Sequence, residues 1–255
     1  MFSLIKWEIR KNLRLGVLIT WALGLALGFH SVFTNFGINE AYAAVFSKYY
    51  GLAPVMGLIM FTMFSGSFVL EYSSNVDGLI KASKNGKKQL VLAKFIANGI
   101  SASIINLSIL MVMLGRIMFT FKLDGLNLPL KSLWYFGNSG SNITILQMLL
   151  ILSLTIILGS FLFAAIGLYL SAISKKATMP FIFGGLIMGI PYAMDSMFSE
   201  KIKEIIIYSP LNGMYSQQLI RYAAPLSSWI VFIVIALVVP VVLYNLTKKR
   251  FLKEI

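Results

Sequence analysis

Six stretches of about twenty mostly apolar residues, separated by short polar segments, decide what this chain can fold into. They cover about 15–36, 51–70, 95–119, 145–170, 179–197 and 229–246. A helix rising 1.5 Å per residue needs roughly twenty residues to cross about 30 Å of hydrocarbon. Within lipid, every backbone N–H and C=O must be satisfied by the segment itself or its neighbours, which leaves helices or a closed barrel. Continuous apolar runs of this length select helices. The expectation is an all-α, polytopic membrane protein with six transmembrane helices. The fourth run is long enough to tilt or project, and Pro180 and Pro191 favour a kink in the fifth.

Composition agrees. The chain is 58% apolar and 12% charged, with a mean hydropathy of +0.83. A soluble domain carries about twice that share of charge. Its net charge of +13 is distributed by topology, as expected for a membrane surface and not for a nucleic-acid partner. Most of the 22 Lys and Arg fall before span 1, between spans 2 and 3, between spans 4 and 5, and after span 6. The opposite side holds Lys48, Arg116, Lys122, Lys131, Lys201, Lys203 and Arg221. By the positive-inside rule both termini are cytoplasmic. Tyr49, Tyr50, Tyr72, Trp229 and Tyr244 sit near predicted span ends, where interfacial aromatic belts lie.

The basic start followed by an apolar run could suggest a secretory leader. No small-residue cleavage site follows Gly28, and the run reads as a retained first span. In 1–14, Phe2, Ile5, Ile9 and Leu13 share one helical face, with Lys6, Arg10 and Arg14 on another. That is the pattern of an amphipathic N-terminal interfacial helix or of a plain basic flank. No internal repeat or linker divides 1–255, which reads as a single transmembrane domain.

The chemistry of many membrane proteins is missing from these residues. There is no cysteine and a single histidine, His30, which excludes thiol sites and most histidine metal sites. Glu71, Arg116 and Asp195 lie at predicted span ends, and no carboxylate pair falls inside a span. An ion-coupled carrier or an intramembrane protease would need such groups. No GxxxxGK[ST] loop is present around Gly86-Lys87, so the chain does not bind ATP in that way. It reads as a non-enzyme.

One polar segment stands out. In 70–94, Ser74 and Asp77 form a capping box, Val76, Leu79 and Ile80 share a face, and Asn85-Gly86 is a stop signal. A helix of about ten residues follows, too short to span lipid, with Lys81 and Lys84 directed elsewhere.

From Glu71 onward this segment resembles the signature of bacterial type-2 ABC transporter permeases. Glu71, Gly78, Ser83, Gly86, Lys87, Leu90, Ala93 and Lys94 fall at matching places. Lys84 stands where the family carries proline, and Lys87 where it carries arginine. The six-span layout, basic start and long outer segment before span 6 match as well. The resemblance implies that 71–94 is the cytoplasmic coupling segment, with a coupling helix within 74–88 that docks on a separate ABC ATPase. ATPase-coupling residues would be Glu71, Gly78, Ser83, Lys84, Gly86, Lys87 and Lys94. It implies that 1–14 is the interfacial helix, with Arg10 or Arg14 paired to Glu71. It further implies that 198–228 forms short outer helices dipping back into the outer leaflet. Gly24 and Gly28 in span 1, and Gly185 and Gly189 in span 5, recur at helical spacing. Such stripes serve helix packing within one subunit or, as the family implies, a dimer seam and conduit.

The expected assembly is two permeases, identical or different, with two copies of the ATPase, which binds ATP and Mg. No cofactor or metal is expected in this chain, and the bacterial plasma membrane is its expected location, with membrane lipids around it. Among relatives, the resemblance leans toward exporters of antimicrobial and amphipathic toxin peptides. The methionine-bearing apolar walls suit such cargo. Drugs, antibiotics or lipids moved by the same architecture, or a non-transporting immunity or sensor protein, are the alternatives.

Overall fold

The computed structural model describes residues 1–35, 37–74, 86–174, 176–197 and 204–253, and among them it is helical with no strand. Among the described residues, four helices are long and apolar enough to cross a membrane: Ala53–Ser73, Gln89–Phe121, Ile145–Ile173 and Leu226–Phe251. A fifth is reached if the bent pair Phe2–Asn12 and Leu15–Ser31 counts as one span. The stretch expected as the fifth of six spans is a helix, Thr178–Met197, but is not among them. Its glycines, Pro191 and Asp195 dilute its apolarity.

The first helix, α1 (Phe2–Asn12), meets α2 (Leu15–Ser31) at 72°. The bend has a local cause. The Leu13 N–H closes α1 on the Ile9 carbonyl at 3.2 Å, and Arg14 is then extended, with φ −74° and ψ 161°. The face of α1 turned into the protein differs from the apolar one read from the sequence. Glu8 and Asn12 are buried, whereas Phe2 is 83% exposed.

Between the first two predicted spans lies a helix that periodicity did not announce, α3 (Ile38–Gly51). It buries Tyr42, Val45, Phe46, Tyr49 and Tyr50. Tyr49 and Tyr50, expected in an interfacial belt, are therefore core residues. The Tyr49 hydroxyl donates to the Asn106 carbonyl at 3.1 Å, and Tyr50 to Asn212 Oδ1 at 3.2 Å. Next, α4 (Ala53–Ser65) and α5 (Val69–Ser73) make one span broken at 66–68. The backbone freed by the break finds side-chain partners, as non-helical chain within a membrane requires. The Phe68 N–H donates to Ser171 Oγ at 3.0 Å, Ser171 donates to the Ser65 carbonyl at 3.1 Å, and Lys94 Nζ reaches the Ser67 carbonyl at 2.7 Å.

The longest helix, α6 (Gly86–Phe121), links the two ends of the molecule. It begins at Gly86, where the sequence placed a stop for the preceding helix; that helix, over 75–85, lies outside the described residues. A cap follows α6, built from 3-10 turns at Leu130–Ser132 and Trp134–Ser139 over buried Leu130, Leu133 and Phe136. Gly125, at φ +81°, lets this cap approach Ile38 and Tyr42 more closely than a Cβ would permit. Helix α7 (Ile145–Ile173) starts with a Thr144/Gln147 capping box and runs through the core against α4, α6 and the last helix. Helix α8 (Thr178–Met197) packs on α4, where Gly184 meets the Phe61 ring and Gly57 meets Met188. Two short helices, α9 (Pro210–Met214) and α10 (Gln217–Arg221), precede the final α11 (Leu226–Lys253).

Two apolar clusters hold the bundle. The large one joins α3, α4, α6, α7 and the cap; the small one gathers Phe68, Leu90, Val91, Leu168, Ala172 and Phe251 beside Leu4. In lipid, association of these faces rests on close packing and polar contacts more than on the hydrophobic effect. The small cluster places both chain termini at one end, here called proximal; the 122–144 cap marks the distal end.

Candidate functional site

At the proximal end, beside the small cluster, four charged side chains meet where α1, α5 and α6 converge. Glu8 and Glu71 are 3% and 6% exposed, and Lys94 is 1% exposed. Lys94 Nζ lies 2.9 Å from Glu8 Oε2, 2.8 Å from Glu71 Oε1 and 2.7 Å from the Ser67 carbonyl. An ammonium has three N–H donors, and all three are used. Lys11, half exposed, completes the set at 3.3 Å from Glu8 and 3.1 Å from Glu71. Among the described residues, two carboxylates and two ammoniums balance one another, which is how charges persist away from water.

Polar neighbours hold this set in place. Asn98, one turn after Lys94, donates to the Lys94 carbonyl at 2.8 Å and to Ser67 Oγ at 3.3 Å. One turn further, Ser101 accepts from Asn12 Nδ2 of α1 at 3.3 Å. Positions 94, 98 and 101 thus form one polar stripe on α6, facing α1 and the break in span 2. The Phe68 ring lies 5.4 Å from Lys94 Nζ on the apolar side, within cation–π range.

The geometry joins three elements through one cation. Glu71 ends the second apolar run, and Lys94 lies at the start of the third, so their contact brackets 72–93. Glu8 extends the bracket to the N-terminal helix. With its donors saturated, Lys94 has no hydrogen to offer an outside group. The arrangement acts as a rigid joint: displacing either end of the bracketed segment must drag α1 or leave a buried charge unpaired.

The residues chosen from the sequence divide. Glu71 and Lys94 come together, Lys94 as a buried ion. Gly78, Ser83 and Lys84 lie outside the described residues, and Gly86 and Lys87 stand in the first turn of α6. Arg10 and Arg14 are not the partners of Glu71. Arg10 lies over the Trp7 ring at 5.8 Å, and Arg14 Nε donates to the Lys11 carbonyl at 3.2 Å while its guanidinium rests on Gly66. Helical spacing explains the correction. Glu8, Lys11 and Asn12 are three and four residues apart and share the inward face, whereas Arg14 lies beyond the end of α1. Glu8 and Lys11 went unnoticed in the sequence, although Glu8 is the lone acid in an otherwise basic 1–14.

The glycine stripes divide as well. Gly24 and Gly28 are buried, with Ile109 of α6 3.2 Å from where either Cβ would be. Their close approach lies within the chain and not at a seam between copies. Gly185 and Gly189 face nothing within 4 Å.

A second polar network lies at the distal end. Within the predicted outer segment 198–228, α9 and α10 are almost wholly buried, including Asn212, Ser216, Gln217 and Gln218. Tyr135 of the cap donates to Gln218 Oε1 at 2.9 Å, and Gln218 Nε2 reaches Asp195 at 3.4 Å. Tyr222 donates to Asp195 at 2.9 Å, and Thr155 of α7 donates to Ser216 at 2.9 Å. Burial raises the Tyr135 phenol above its usual range, with the nearby Arg221 opposing the shift, so it stays protonated as a donor. Compared with known proteins, the chain matches no family model and no curated sequence.

Proposed function

We propose that this chain is the membrane subunit of an ATP-driven ABC exporter, with Glu71–Lys94–Glu8 as the joint that carries movement from the ATPase into the bundle. The observation behind the reading is the bracket itself. A segment that resembles the family's signature has its two ends fastened by one buried ammonium, and the same ammonium holds the N-terminal helix. In this reading 74–88 docks on the ATPase, α1 lies in the cytoplasmic membrane interface, and α8 is the fifth of six spans. Both termini are cytoplasmic, in a bacterial plasma membrane.

ATP and Mg are bound by the partner. When two ATPases close, they push the docked segment, and the push reaches α5 and α6 through Glu71 and Lys94 and α1 through Glu8. Packed helices respond as rigid bodies that exchange between inward- and outward-open arrangements. Two permeases, identical or related, enclose the pathway, and the open Gly185/Gly189 face of α8 suits the seam between them. Amphipathic or hydrophobic cargo is favoured, with toxin or antimicrobial peptides first.

Affinity purification of the chain from its native cells, with mild detergent, is the direct test. The expected result is a stoichiometric partner carrying a Walker motif, whose ATPase rate in proteoliposomes rises with amphipathic peptides. Charge reversal at Lys84 and Lys87 is expected to release that partner without unfolding the permease. Recovery of the chain with no ATPase under any mild condition would overturn the reading. A peptide response that stays flat while lipids or drugs stimulate would keep the architecture and change the cargo.

A further inference from the structure

At the proximal end, α6, α7 and α11 leave a slot between them. Val91, Phe95, Ala165, Leu168, Tyr244 and Thr247 line it, and Val91 and Leu168 belong to the small apolar cluster. The slot is open at the surface and holds about 170 Å³ of space, of which only about 10 Å³ admits a water-sized body. A single water would fit, but it needs two or more polar partners, and the accessible walls are apolar. A space this narrow and greasy suits a hydrocarbon chain better than a ring or a sugar.

One polar atom is out of place. Thr247 is 2% exposed, and its Oγ1 has no hydrogen-bond partner among the described residues. Helical threonines commonly donate back to a carbonyl three or four residues earlier, as Thr20, Thr62 and Thr120 do. Asn245, two residues before, bonds the Val241 carbonyl in the same way at 3.0 Å. Thr247 instead lines the slot. A buried hydroxyl without a partner is costly, and this one points to an acceptor from outside the chain.

Toward the proximal surface, the three walls run into basic residues. Lys87 and Lys88 stand one turn before Val91 on α6, Lys176 follows α7, and Lys248, Lys249 and Arg250 continue α11 from Thr247. Lys176, Lys249 and Arg250 are exposed, and Lys248 is half-buried. Among the described residues, none of these four has a carboxylate within ion-pair distance, and the acids of this end, Glu8 and Glu71, are held by Lys94 and Lys11. The charged residues of the adjoining sequence outside the described ones are Asp77, Lys81, Lys84, Lys175 and Glu254, a set that is itself net positive.

We propose that the slot seats one anionic phospholipid of the surrounding membrane. An acyl chain lies along Phe95, Ala165 and Leu168, a glycerol ester carbonyl accepts from the Thr247 hydroxyl, and the headgroup phosphate meets Lys248 and Arg250. A basic mouth between helices is suited to such headgroups. The site concerns the chain in its membrane, so it neither requires the ATPase nor fails with it.

Photolabelling tests it. The full chain, in phosphatidylcholine nanodiscs, receives a trace of phosphatidylglycerol bearing a diazirine beside one ester group, and adducts formed on irradiation are mapped by mass spectrometry. Adducts are expected within 91–95, 165–168 and 244–247. Unlabelled phosphatidylglycerol should displace them, whereas added phosphatidylcholine or glycerol phosphate should not. The same diazirine carried on phosphatidylcholine should label these residues about fivefold less. Thr247→Val keeps the side-chain shape, removes a hydroxyl with no partner to lose, and should lower labelling about fivefold. Lys248→Gln, a change at the surface, should lower it to a similar degree, while Lys131→Gln in the distal cap leaves it unchanged. Equal labelling by the phosphatidylcholine probe would mean ordinary boundary lipid and overturn the proposal. Displacement by glycerol phosphate, adducts only elsewhere, or full labelling of either the Thr247→Val or the Lys248→Gln variant would overturn it as well.

Discussion

Buried polar groups tie helices together at both ends of this bundle, but the two ends use different chemistry. The proximal joint is ionic: Lys94 binds Glu8, Glu71 and a main-chain carbonyl. The distal network is mostly neutral: Tyr50 with Asn212, Tyr135 with Gln218, Thr155 with Ser216. A buried neutral pair that loses one member leaves an unmatched dipole, whereas a buried ion pair leaves an unmatched charge, which costs several times more. The distal network should therefore tolerate rearrangement piece by piece, while the proximal joint holds or fails as a unit.

Five substitutions, in four single variants and one double, can break or sharpen this contrast, each variant read as unfolding of the purified chain in detergent. Lys94→Met should have the largest effect, a loss of about 3–5 kcal/mol, because Glu8 and Glu71 then face each other without their buried cation and keep only the half-exposed Lys11. Adding Glu71→Gln to it should recover part of that loss; a double variant no better than the single one would mean the carboxylates are not coupled. At the distal end, Asn212→Leu should cost about 1–3 kcal/mol, since the Tyr50 hydroxyl loses its acceptor inside the core. A loss as large as that of Lys94→Met would erase the distinction between the two ends. Tyr135→Phe should cost about 1 kcal/mol, the size of one neutral hydrogen bond. Smallest should be Lys11→Met, below about 1 kcal/mol, because its ammonium is half exposed and Lys94 remains. If Lys11→Met matched Lys94→Met, the joint would depend on total charge and not on the buried donor.

The sequence made one half of the proximal joint legible and obscured the other. Glu71 stood out as a carboxylate at the end of an apolar run, where an unpaired charge is expensive. The family resemblance directed the search for its partner to the N-terminal helix, to Arg10 or Arg14. Two backbone events moved the answer: α1 ends at Asn12 and turns 72°, and span 2 breaks at 66–68. The break opens a carbonyl that Lys94 fills, and a residue read as one of the ATPase-coupling set is the buried centre of the joint. The distal network was less legible still. Helix α3 mixes Asn39, Glu40, Lys48 and tyrosines among its apolar residues, so no apolar run marked it, and Tyr49 and Tyr50 looked interfacial.

Gly24/Gly28 and Gly185/Gly189 show the same limit, since equal spacing in the sequence ends in opposite surroundings. One pair is packed against Ile109 and the other faces open space. What the sequence determined by itself was the helical class, the apolar runs and the uneven placement of charge, because these depend on sums over many residues. Only the tertiary structure decided which cation meets which carboxylate and which glycine meets a neighbour. Those contacts depend on how each helix is rotated and where its backbone bends, and a shift of one residue turns a side chain by about 100° around the helix.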